Sequence, residues 1–153
     1  MADYLRDELG KLLDQYDERR RTVLEREQQL RDADALYLAQ FAELRRGVIR
    51  PAFEAAASLL AERGHAASIT EQEFAVAEGG SATEALIALR IVVAGTREAD
   101  ARSLAISTRH YNKTVLINAG KPLEGAKGSY ALDKVDRQRV EEELLRFVAG
   151  VVG

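Results

Sequence analysis

Apolar residues in the first third of the chain recur at alternating steps of four and three. From Leu5 the series runs Leu9, Leu12, Tyr16, Arg19, Val23, Arg26, Leu30, Ala33, Tyr37, Gln40 and Leu44, a heptad in which one core position stays apolar and the other turns polar after two repeats. Between Asp3 and Arg46 there is no Pro and one Gly, and good helix formers dominate. The pattern predicts a coiled-coil-like helix over residues 1–50 that keeps half a seam: Leu9, Leu12, Tyr16, Val23, Leu30, Tyr37 and Leu44. The flanking positions, among them Leu13, Arg20, Glu27 and Asp34 on one side and Glu8, Gln15, Thr22 and Gln29 on the other, carry no complementary charge code. From Leu36 the stripe widens to take in Leu38 and Phe41, so this end is expected to pack against the rest of the chain or a second helix.

Arg50-Pro51 ends the pattern. Proline lacks the amide donor and crowds the preceding turn, which predicts a kink or break between Gly47 and Pro51 and a short helix from Pro51 to Arg63. Gly64 stands where a left-handed cap closes such a helix. Beyond it the period shortens and β-branched residues collect. Residues 68–77 and 83–95 read as one hairpin around Glu78-Gly79-Gly80-Ser81, and residues 101–108 and 113–118 as a second across Arg109-His110-Tyr111-Asn112. Ala119 to Tyr130 holds Gly120, Pro122, Gly125 and Gly128 and reads as loop. A last amphipathic helix is expected from Asp133, placed to cap it, to Ala149.

Helices and strands that segregate along the chain predict an α+β fold: a four-stranded antiparallel sheet of two hairpins, with the C-terminal helix packed on it. The division expected is 1–50, a helical extension, and 51–153, a small α+β domain, folding as one unit. A chain of 153 residues is long enough to bury a core of its own.

Composition narrows the function classes. The net charge of −3, from 22 basic and 25 acidic side chains spread over both halves, gives no basis for bulk nucleic-acid binding. The absence of cysteine excludes disulfides, thiolate metal sites and a cysteine nucleophile. Asp3, Asp7 and Glu8 stand where an export signal carries basic residues, and no run approaches a membrane span. A cytoplasmic protein without membrane contact is the expectation.

Candidate chemistry is sparse. His65 and His110 stand far apart without a helical partner, so no metal or other cofactor is expected. Residues 120–129 offer glycines, lysines and a serine, but Ala126 parts Gly125 from Lys127 and Gly128 parts Lys127 from Ser129, which breaks the phosphate-loop spacing. Glu71 and Glu73 share a strand face and Glu141 to Glu143 a helix, both readable as solvated surface. The first hairpin is acidic and the second basic, which makes Arg102, Arg109, His110, Lys113 and Lys127 a candidate anion-binding patch. No catalytic residue is marked. The reading is a non-catalytic interaction or oligomerisation protein that assembles through its N-terminal helix, as a homodimer or with a helical partner. The alternative is a ligand- or nucleic-acid-binding domain using the basic hairpin.

Overall fold

A computed structural model of the chain describes residues 2–119 and 128–153. Helix α1 (Ala2–Leu44) passes into a π-helical turn (Arg45–Ile49) and then into α2 (Arg50–Glu62). Of the kink or break expected between Gly47 and Pro51, the break is absent, and the π turn falls at that point instead. Leu44, Ile49 and Arg50 all keep right-handed helical backbone, and the Arg50 amide donates to the Arg45 carbonyl one residue further back than in an α-helix. Widening one turn just ahead of Pro51 seats the proline in the first turn of α2, where its missing donor costs least. Gly64 (φ +90°) closes α2 as expected, with the His65 amide donating to the Leu60 carbonyl.

Among the described residues seven strands follow: β1 (Ala66–Gln72), β2 (Ala75–Val76), β3 (Ala82–Thr83), β4 (Leu86–Val92), β5 (Arg102–Arg109), β6 (Thr114–Asn118) and β7 (Ser129–Ala131). The main sheet is antiparallel with the order β1-β4-β5-β6-β7, and β2 and β3 form a separate two-stranded ribbon. Both expected hairpins exist, but the first is divided. Regular pairing stops at Gln72 opposite Leu86 and resumes at Ala75 opposite Thr83. Between them Ala85 is tied to β5 instead, its amide donating to Thr108 Oγ1 (3.0 Å) and its carbonyl accepting from the Thr108 amide (2.9 Å). A fifth main strand, β7, lies at the end of the segment read as loop and pairs Ser129 with Leu116. The class is α+β as expected, with five main strands where four were predicted.

Strand alternation sets the layers. In β4 and β5, Ile87, Leu89, Ile91, Leu104, Ile106 and Thr108 are buried while their neighbours are half-exposed. Register places Leu89 beside Leu104, and Ile106 between Ile87 and Ile117. This face joins Phe53 and Leu60 of α2 with Val140, Leu144 and Phe147 of α3 (Arg137–Val152) in one hydrophobic cluster. The opposite face, with Ala88, Ala105, Ser107 and Leu116, stays half-exposed. Asp136, not Asp133, caps α3, accepting from the Arg139 amide (2.9 Å). Asp133 lies in a 3-10 turn (Leu132–Lys134) that leads to the buried Val135.

The chain divides into two compact units, Met1–Leu36 and Tyr37–Gly153. The division lies N-terminal to the Pro51 boundary expected from sequence, because Phe41 and Ile49 already belong to the core cluster.

Candidate interaction surfaces

Heptad spacing sends five of the seven seam residues to solvent. Leu9, Leu12, Tyr16, Val23 and Leu30 are 48–64% exposed, and Leu5 and Leu13 beside them are exposed too. Such a continuous row of large apolar side chains is rare on an unpartnered helix. The last two seam residues have different surroundings. Tyr37 is buried, and Leu44 packs against the core cluster. The Tyr37 hydroxyl donates to the Thr114 carbonyl and accepts from the Arg109 amide (3.0 Å), which ties the C-terminal part of α1 to β5 and β6. Burial raises the phenol's pKa above its ordinary value of 10.0, opposed by the Arg109 amide and assisted by the charge of Glu84.

Beyond Tyr37 the buried row steps by four: Tyr37, Phe41, Arg45, Ile49 and Phe53 are all buried. Arg45 is the charged member. Its guanidinium lies 5.9 Å from the Phe41 ring centroid, bonds Glu73 (2.6 Å) and the Gln72 carbonyl (3.2 Å), and sits 3.5 Å from Glu71. Arg50 reaches the same Glu71 carboxylate (3.5 Å). The two carboxylates readable as solvated surface therefore secure the π turn to the end of β1. Glu143 of α3 is buried and pairs with Arg146 (3.1 Å). Sequence reasoning passed over Arg45, although its position four residues after Phe41 and four before Ile49 marks it.

The basic residues of the second hairpin are not gathered into one patch. Arg102 and Arg109 stand at opposite ends of β5, about 23 Å apart at strand rise, and seven residues of alternation put them on opposite faces. Arg102 donates to the Gly150 carbonyl at the end of α3 (3.1 Å), and Arg109 to Ser129 Oγ (2.9 Å). Lys113 shares the β5–β6 turn with His110 and adopts left-handed backbone (φ 55°). Lys127 lies outside the described residues.

His110 is held by Glu84. The carboxylate lies 3.0 Å from Nδ1 and accepts from the His110 amide (3.2 Å), Thr108 Oγ1 approaches it at 3.2 Å, and Phe74 packs edge-on against the imidazole. With a proton on Nδ1 the His110 ring donates to Glu84. The clasp joins the β3–β4 connection to the β5–β6 turn. At His65 the Ala94 amide donates to Nδ1 (2.9 Å), so that nitrogen is the acceptor. Among the described residues no three His, Asp or Glu side chains gather as a metal site would require, and no helix is long and apolar enough to cross a membrane.

A groove of about 590 Å³ runs between α2 and α3. Leu60, Leu144 and Val148 form its floor, and Leu59, Leu145 and Val152 stand exposed along it. No protein family, no curated protein and no solved structure matches the chain.

Proposed function

We propose that the protein is a non-catalytic assembly module whose α1 packs against α1 of a second copy. The observation behind this reading is the exposed row Leu9, Leu12, Tyr16, Val23 and Leu30 at heptad spacing. Magnitudes favour a real but modest association. Full burial of a large apolar side chain is worth about 1.5–3 kcal/mol, and these are half-covered already, so ten of them across two copies contribute on the order of 10 kcal/mol. The cost of association is roughly 4–15 kcal/mol. With the cost at the low end of that range about 6 kcal/mol remains, a dissociation constant of some tens of micromolar, so the dimer dissociates on dilution. Arg19 and Arg26, which occupy the second core position in the middle of the row, hold the affinity down.

Sedimentation equilibrium of the full chain between about 1 and 200 μM tests the reading, a window set by micromolar affinity. The expected outcome is a weight-average mass rising from one chain toward two. A mass of one chain throughout would refute it.

A further inference from the structure

The groove between α2 and α3 carries a second, independent surface. Two features define it. Along α2, Ala52, Ala56, Leu59 and Arg63 follow steps of four, three and four, and along α3 Glu141, Leu145, Val148 and Val152 follow the same steps. Each helix thus presents a short heptad-type stripe beside the other. The two helices also run the same way, because Pro51 and Ala52 at the start of α2 share a hollow with Arg137 and Glu141 at the start of α3. One end of the groove consequently carries Glu141, and the other carries Arg63 and His65.

We infer that this face pairs with the same face of a second copy about a two-fold axis normal to the helices. The axis reverses helix direction, so the Glu141 end of one copy meets the Arg63 end of the other, twice per dimer. Charge complementarity of this kind is self-contained: the cation that answers Glu141 and the anion that answers Arg63 are both in this chain. Glu141 pairs within its own helix with Arg137 (2.8 Å), but both side chains are largely exposed and such a pair is readily exchanged. Antiparallel apposition also sets helix N-termini against C-termini, which aligns their dipoles favourably. The apolar character of the exposed residues favours a protein surface over a small ligand, since Leu145 is 72% exposed and an occupant confined to the groove floor leaves it in water.

The size of the face sets the strength. From Ala52 to Arg63 the stripe extends about 16 Å, and two helices abreast span roughly 20 Å. That is less than the ~800 Å² per partner of a standard interface, so the dimer is a weak one.

Charge reversal provides the test, in full-length chains carrying Val23→Lys so that α1 pairing does not contribute. Arg63→Glu and Glu141→Arg are made separately, with circular dichroism confirming the fold, and association is read by sedimentation up to about 500 μM, a range suited to a weak interface. Each single reversal opposes like charges at both ends and is expected to raise the dissociation constant by about tenfold or more. Mixing the two variants in equal amounts restores a cation opposite an anion at both contacts, so heterodimers should form with near-parental affinity. Single reversals that leave association unchanged would overturn the inference, as would a mixture no tighter than either variant alone or a Val23→Lys parent that is a monomer throughout. The two surfaces fail separately: Val23→Lys reports on α1 alone, and the charge cycle on α2 and α3 alone.

Discussion

Two stretches of the same continuous helical segment, Leu9 to Leu30 and Tyr37 to Phe53, both repeat apolar residues at helical spacing, yet only the second is buried. The first keeps the heptad step of three and four. The second steps by four throughout, through Tyr37, Phe41, Arg45, Ile49 and Phe53. In an α-helix of 3.6 residues per turn a step of four drifts by about 40°, so a row of this kind would wind away from one face. The π turn at Arg45–Ile49 interrupts that drift in the middle of the row. The comparison separates two meanings of a hydrophobic repeat. A heptad suits a partner helix, whereas a row of fours with a widened turn keeps this segment on the domain's own core.

The largest expected effect comes from treating one residue of each stretch alike. Phe41→Ala removes a ring that is 1% exposed and should destabilise the α+β unit by about 3–5 kcal/mol in urea unfolding. Leu12→Ala, at 60% exposure, should leave the urea midpoint of the dissociated chain within about 0.5 kcal/mol. Equal losses at the two positions would mean that Leu12 is covered by the chain's own core, and the distinction between the stretches would fall.

A smaller effect sharpens the boundary between them. Tyr37→Phe keeps the ring but removes the hydroxyl that bridges Thr114 and Arg109, at a cost of about 1–2 kcal/mol. It should also change the alkaline limb of stability. Burial raises the phenol's pKa in the folded chain above the 10.0 of the unfolded one, so the fold favours the protonated form. That contribution is complete below pH 10.0 and is lost as pH rises through the folded value. Urea midpoints measured from pH 8 to 11 should fall less steeply above pH 10.0 in the Phe variant than in the parent. Parallel curves would show that Tyr37 does not carry the linkage.

Much of the fold was legible in the sequence because its signals are local. Period, β-branching and the Glu78–Ser81 turn marked the helices and both hairpins, and Gly64 marked the end of α2. What escaped depends on distant partners. The division of the first hairpin follows from Ala85 bonding Thr108 across the sheet, and β7 is three residues long behind a stretch of glycines. Pro51 marked the place of an irregularity but not its kind: a π turn at Arg45–Ile49 accommodates the proline without a break in the helix. The site was less legible. Alternation alone places Arg102 and Arg109 on opposite faces of β5, but net charge along the sequence hid it. The roles of Glu84 and Arg45 are set by residues more than twenty positions away.

The central claim is that the exposed heptad row of α1 is an association surface, and one substitution tests it most directly. Val23 is 52% exposed at the middle of the row, between Arg19 and Arg26, and Thr22 lies one position off it. Sedimentation of Val23→Lys beside Thr22→Lys and the parent, with circular dichroism to confirm the fold, gives the answer. The account predicts that Val23→Lys weakens association by about a hundredfold or more while Thr22→Lys stays close to the parent, because a cation buried between Arg19 and Arg26 without an anion costs about 3 kcal/mol or more. An association constant for Val23→Lys equal to that of Thr22→Lys would contradict it.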